Sequence, residues 1–269
     1  MERTLGKKYV PYLKIAYTQL DGLYADTTKP FEKITDDLYI KTFYDYDRQT
    51  FMIIFRNIED ERVDINLKMP IGNLMNFFQK PDRRLYNHKN IENTKDPTIH
   101  HSVSEEAADY FLVIMEKLKN DIQKVFENKN VIQSFEVYGH SRAGILAFIT
   151  HGWLKQNYGI HTKYFDQPRV TTITTGCPRV IFEIPFNPFQ LFNYFRLKLV
   201  YKGFYRFVNV NDVITRLPFK WLFYNHVNKE IKLEKPFSFR KLLKPTIYHD
   251  RERYNKLIIE YLENLALNS

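Results

Sequence analysis

The 269-residue chain has a single cysteine, Cys177, so no internal disulfide framework can staple it. The expectation is a reducing compartment, or at least a fold that needs no oxidative cross-links. It has no apolar run long enough to span a bilayer, and Met1–Lys8 lead into no leader-like apolar segment. A cytoplasmic or otherwise intracellular location is therefore expected, with peripheral attachment to membranes left open. Internal repeats and low-complexity linkers are absent. So are metal-finger spacings and RNP-type motifs, which leaves no nucleic-acid-binding module and no nucleic-acid partner to expect.

What the chain has in quantity is aromatic and basic residues. Twenty-two Phe and nineteen Tyr exceed what a core of this size usually holds, so some are expected on binding surfaces; a dense aromatic core is the plainer explanation. The net charge is +9, which suits an anionic membrane surface, nucleic acid or simple solubility. With 44% hydrophobic and 26% charged residues the composition is globular, and the length predicts one domain over 1–269.

The periodicities outline an α/β chain. A helix is expected over 9–25, with Pro11 in its first turn. Leu38–Phe43 and Thr50–Arg56 read as a hairpin, the second strand apolar throughout as a central strand should be. Arg62–Lys68 alternates and is a third strand candidate. Residues 70–80, bounded by Pro70 and Pro81, read as a short amphipathic helix, either a core helix or a lid with an apolar inner face. Residues 81–98 read as a surface loop. A helix begins at Ser102-Val103-Ser104-Glu105, which has the form of a capping box, and runs through Phe126. Val131–Val137 alternates as a strand. Val170–Thr175 is a β-branched strand ending at Gly176. Residues 187–200 are helix-like, 205–210 a strand, 220–232 a short strand around His226, and 250–265 a terminal helix. Strands alternating with helices predict a mostly parallel central sheet with helices on both faces and a β-hairpin near the N-terminus.

The stretch Val137-Tyr138-Gly139-His140-Ser141-Arg142-Ala143-Gly144 lies between a strand and a helix marked by Ile145, Leu146, Phe148, Ile149, Trp153 and Leu154. That is the setting of a G-x-S-x-G nucleophile elbow, with Ala143 in place of the second glycine. A sharp turn lifts a serine oxygen above the sheet, and the following helix aims its free N–H groups at the same spot. The plainer alternative is a serine at a helix N-cap.

A serine nucleophile needs a base and the base an orienting acid. Asp212 follows the strand 205–210 and His249 stands at the start of the last helix, giving the chain order Ser, Asp, His of this class of sheet. Of the other histidines, His140 is expected to support the turn, with its ring pointing away from Ser141. His226 is expected to be structural. His88, His151 and His161 are read as surface or loop residues. His100 and His101 lack a third ligand at useful spacing for a metal site, and no cofactor or metal is expected.

Seven segments in order make the chain resemble the class 3 lipases, the fungal-lipase-like branch of the α/β hydrolases. Ile53–Ile58 resembles the strand ending in F-R-G-S/T, and Ile99–Val103 resembles V-H-x-G-F. Tyr138–Gly144 resembles G-H-S-L-G-G, and Thr174–Val180 resembles T-F-G-S-P-R-V. Tyr205–Pro218 resembles Y-R-V-V-N-x-x-D-P-V-P-R-L-P, Tyr224–Glu230 resembles Y-x-H-V-G-x-E, and His249 with Tyr254 fits a final H-x-x-x-x-Y. The resemblance implies an α/β-hydrolase fold that cleaves acyl esters of lipids, glyceride or phospholipid. By position it implies Ser141 as nucleophile, His249 as base and Asp212 as orienting acid. The oxyanion hole would be the backbone N–H groups of Arg142 and Ile58. It departs at Asn57 and Ile58, where the family has Gly and Ser/Thr, and at Ala143. It also raises the lid reading of 69–80, since the family's lid follows its F-R-G segment.

The basic residues of 229–244, interleaved with Phe237, Phe239, Leu242 and Leu243, either dock on anionic lipid at a membrane or lipid-droplet surface or form a solvated loop. No protein partner is indicated. Two other readings stay open: a lipid-binding or interaction protein on the same fold with little turnover, and a soluble carboxylesterase.

Overall fold

The computed structural model describes residues 10–35, 38–57, 81–82, 103–158, 169–179, 181–182, 201–217, 224–226, 230–233 and 248–267. The chain opens with α1 (Val10–Ala25), then β1 (Glu32–Lys33), β2 (Leu38–Asp45) and β3 (Thr50–Asn57). Two short strands, β4 (Pro81–Asp82) and β5 (Val103–Ser104), precede α2 (Glu105–Glu127). Then come β6 (Ser134–His140), α3 (Ala143–Tyr158), β7 (Arg169–Thr175), β8 (Ile181–Phe182) and β9 (Phe204–Val208). A 3-10 turn over Ile214–Arg216, β10 (Tyr224–Asn225), β11 (Glu230–Lys232) and α4 (Arg251–Leu267) complete the order.

One seven-stranded sheet runs β1-β2-β3-β6-β7-β9-β11. The hairpin edge is antiparallel, and every pairing from β3 onward is parallel. β3 is buried over six consecutive residues because it is covered on both faces. Its pleat divides them: Phe51, Ile53 and Phe55 join a core with α2 and α3, while Met52 and Ile54 join another with α1 and α4. Tyr138, Ile173 and Phe207 extend the second core across β6, β7 and β9. Burial of twelve successive residues of α3, Ala143 to Leu154, makes it the central helix of the fold.

Several boundaries differ from the sequence expectations for physical reasons. β6 starts at Ser134, not Val131, because Val131 is exposed in a connector whose Gln133 N–H is taken by the carbonyl of Gln49 in the hairpin turn. It then runs on to His140, the residue before the elbow serine. α2 starts at Glu105, because Val103–Ser104 pairs antiparallel with Pro81–Asp82, which therefore is not all loop. β9 ends at Val208, since the Asn209 side chain accepts the Asn211 N–H and turns the chain. His226 follows β10 rather than lying within a strand, and a second short strand, β11, forms after it. The expectations for 62–68, 69–80, 83–98, 187–200 and 234–244 lie outside the described residues. Among the described residues, no helix is long and apolar enough to cross a membrane.

Candidate active site

Parallel strands β3, β6, β7 and β9 end on the same side of the sheet, and the loops leaving them hold the candidate residues. β6 leads straight into Ser141, which adopts φ 55°, the left-handed conformation a sharp strand-to-helix turn needs. The Ser141 N–H donates to the carbonyl of Thr175 at the end of β7 (2.9 Å), and the Ser141 carbonyl accepts from Gly144 (3.0 Å). Gly139 is required here: a Cβ at that position would stand 2.4 Å from the carbonyl oxygen of Ala143. Gly144 is pressed against Cys177, whose Cβ would lie 2.8 Å from a Cβ added there. The close approach of helix to strand thus falls on Gly139 and Gly144. The methyl of Ala143 is buried without undoing the turn.

His249 sits at the entry to α4. Its Nε2 is 2.7 Å from the Ser141 Oγ and its Nδ1 is 2.7 Å from Oδ2 of Asp212. Asp212 is fully buried. Its Oδ2 also accepts from the Tyr254 hydroxyl (2.7 Å), and its Oδ1 from the Ile214 N–H (2.9 Å). Three donors therefore satisfy a carboxylate that would otherwise be costly to bury. Burial first, then the charge of Asp212, push the Tyr254 phenol well above its ordinary range, so it remains a donor. The same oxygen accepts the N–H of Asn209 (3.0 Å), tying α4 to the end of β9.

Gly176, at the end of β7, has φ 60°, and a Cβ there would lie 2.9 Å from Cε1 of His249. Only glycine both adopts that backbone and leaves room for the imidazole. His140 is buried beneath: its Nδ1 is 2.8 Å from Thr175 Oγ1, and its ring centroid is 5.0 Å from that of His249. The ring expected to support the turn thus packs against His249.

Ser141, His249 and Asp212, chosen by motif and chain order, are brought together. Arg142 lies in the turn between Ser141 and α3. Ile58 lies outside the described residues; β3 stops beside it at Asn57, and the pairing of Phe55 with Gly139 brings that strand end level with Ser141. His226 bonds the carbonyl of Thr215 (3.3 Å), away from the serine. His151 is a correction: it is no surface residue but fully buried in α3, with Nδ1 2.9 Å from Thr172 Oγ1 and its ring stacked on Tyr201. The apolar side of α3 that carries it faces β7. His88, His100, His101 and His161 lie outside the described residues. Cys177 is buried and its thiol is pushed up to about 12, so it offers no thiolate to compete with the serine. Among the described residues, no group of three or more His, Cys, Asp or Glu is arranged to hold a metal.

Sequence reasoning had no means of finding the parts that Gly176 and Thr175 play. Both stood in the segment that resembles T-F-G-S-P-R-V, but neither was given a part in the site.

The model of the family "Lipase (class 3)" matches residues 70–221, more than half of the chain. The chain belongs to the class 3 lipase family. No curated protein sequence matches it significantly. Among solved structures, it is similar to a lipase from Rhizopus microsporus var. chinensis, 16% identical over 91% of this chain and 85% of that one, with a TM-score of 0.53. It is also similar to lipase II from Rhizopus niveus, 13% identical over 84% and 78%, TM-score 0.51. MDLA from Penicillium cyclopium is 13% identical, with a TM-score of 0.49; 78% of this chain covers 66% of that protein, just under two thirds of its length. At such identities the likeness to the two Rhizopus lipases shows a shared fold: this chain has an α/β-hydrolase fold.

Proposed function

We propose that this class 3 lipase is a serine hydrolase that cleaves carboxylic acyl esters of lipids, glyceride or phospholipid, through an acyl-enzyme on Ser141. The observation that carries the reading is the continuous chain of 2.7 Å contacts from Ser141 Oγ through His249 to Asp212. In this reading His249 takes the Ser141 proton as the oxygen attacks the ester carbonyl. Asp212 keeps the imidazole in the tautomer with its proton on Nδ1 and stabilises the imidazolium that forms. The tetrahedral oxygen is held by the backbone N–H groups of Arg142 and Ile58; each such donor typically contributes roughly 3 kcal/mol to the transition state. The imidazolium then protonates the departing alcohol, and water activated by His249 releases the acid.

The substrate would be met at a membrane or lipid-droplet surface, which the net charge of +9 favours. A lid over 69–80 and a peripheral intracellular location belong to the same reading. The test is hydrolysis of a short and a long p-nitrophenyl acyl ester by the wild type beside Ser141→Ala. Turnover by the wild type and a loss of at least about a thousandfold in the variant are expected. A folded wild type as inert as the variant would overturn the hydrolase reading and leave a lipid-binding role to be tested with vesicles. A rate that rises when the ester forms micelles separates a lipase from a carboxylesterase of soluble esters.

A further inference from the structure

We propose that His140, the residue before the elbow serine, is a positioning residue for His249: it ties the base to β7 through a directed line of hydrogen bonds and supports its ring from below. The proposal rests on the triad reading above and names a part of the site which that reading does not use.

The geometry is specific. His140 is 2% exposed, and its ring centroid lies 5.0 Å from that of His249 with the planes inclined by 36°. Its Nδ1 is 2.8 Å from Thr175 Oγ1, and its ring also hydrogen-bonds the backbone of His249. A backbone carbonyl only accepts, so the ring N–H goes to His249 and Nδ1 accepts the hydroxyl proton of Thr175. Thr175 Oγ1 in turn lies 3.2 Å from the Tyr138 hydroxyl, which completes the line with an O–H donor. The edge of Tyr254 closes the other side of His140, with ring centroids 5.6 Å apart. Tyr254 therefore touches both the acid and the ring beneath the base.

This arrangement answers a mechanical problem. His249 stands just ahead of α4, separated from it by Asp250, so the hydrogen bonds of that helix do not hold its backbone. Its side chain must keep contact with both Ser141 and Asp212. The bond from His140 fixes the backbone of His249 from the sheet, independently of α4, while the ring packing limits rotation of the imidazole. A neutral ring at this place also avoids repelling the imidazolium formed during acyl transfer, which a Lys or Arg would do. Gly176 leaves the space in which the two imidazoles meet: a Cβ there would lie 2.9 Å from His249 and 3.1 Å from His140.

The experiment compares wild type, His140→Phe and His140→Gln. Phe keeps a ring but no hydrogen bond, whereas Gln keeps both a donor and an acceptor. Three readouts are needed: kcat and KM on p-nitrophenyl butyrate, the rate of Ser141 labelling by an alkyl fluorophosphonate, and the imidazole resonances of protein labelled with 15N-histidine. Expected for His140→Phe is a fall in kcat of roughly tenfold to a hundredfold with KM within about twofold. The labelling rate should fall in step, and Gln should restore part of both. The His249 resonances should shift or broaden in the Phe variant. Unchanged kcat and unchanged His249 resonances in a folded Phe variant would overturn the proposal. So would a loss that tracks only melting temperature and is not relieved by Gln. If the wild type itself neither turns over nor labels, the acyl-transfer reading fails instead, and the resonances alone then decide whether His140 positions His249.

Discussion

Two fully buried carboxylates sit at opposite ends of the sheet, Glu136 near the start of β6 and Asp212 beyond the end of β9. Glu136 accepts both terminal nitrogens of Arg48, at 3.0 and 2.9 Å, and Arg48 also reaches Asp45. A guanidinium is charged at every relevant pH, so Glu136 is compensated permanently. Asp212 has an imidazole, a phenol and a backbone N–H. These satisfy its hydrogen-bonding capacity; none of the three is a permanent cation, and His249 alone among them can take up a proton. The first arrangement holds a strand in place. Under the proposed mechanism, the second leaves electrostatic stabilisation to be gained at the moment of proton transfer, where acyl transfer would need it.

Exchanging each acid for its amide should separate the two ends most sharply. Asp212→Asn is expected to lower kcat by roughly ten-thousandfold, because the amide no longer selects the tautomer of His249, with little change in urea unfolding. Glu136→Gln should do the reverse: kcat within about twofold, stability down by about 3 kcal/mol as Arg48 loses its buried partner. Paired kinetic and unfolding measurements check both. If Glu136→Gln were the more damaging to kcat, the division between a static and a responsive end would fail.

Gly176→Ala sharpens the responsive end. The methyl would enter the space of the His249 ring and force a non-glycine residue to φ 60°. A loss of about a hundredfold in kcat is expected, with about 1 kcal/mol of stability. A folded Ala variant of normal rate would mean that His249 does not need its observed place.

Tyr254→Phe is milder. It keeps the ring against His140 but removes one donor from Asp212 and one acceptor from Asn209. About 1 kcal/mol of stability and roughly tenfold in kcat are expected to go. Fluorophosphonate labelling of Ser141 would show whether the loss reaches the serine.

Much of this was legible in the chain, and what was not has a common cause. Ser141 announces itself by turn chemistry: a strand, glycines at close-approach positions, then a buried helix. Asp212 and His249 follow from chain order and their placement after a strand and before a helix. The apolar β3, the β-branched β7 and the amphipathic α1 and α4 were likewise readable from local pattern. Asn209 and Val131 moved strand ends because one side-chain bond and one solvent-facing side chain outweighed alternation. The roles of Thr175, Gly176 and His151 were hidden, since each depends on a partner from another element. Thr172 is 21 residues from His151 and Thr175 is 35 from His140, and periodicity carries no record of such pairings.

The smallest expected effect lies in the acid limb of stability, where the two ends should separate by pH. Burial first, then the nearby charges of His249 and Arg251, hold the His140 imidazole well below its ordinary value, against the opposing bond to the backbone of His249. The unfolded chain takes up that proton near pH 6.5 while the folded chain does not, so the stabilisation is full above about pH 6.5 and declines as pH falls below it. At the other end, burial works to raise the Asp45 carboxyl, but bonds from the backbone and side chain of Arg48 outweigh it and hold the group below its ordinary value. That contribution is full above about pH 4 and is lost only as pH falls through the lowered folded value. Urea unfolding from pH 7 to 3 should therefore show two declines. His140→Phe should flatten the slope between about pH 6.5 and 5, and Asp45→Asn the slope below about pH 4. If His140→Phe leaves the upper slope intact, the imidazole beneath His249 takes its proton as readily in the folded protein as in the unfolded chain, and it could not be the neutral support proposed for His249.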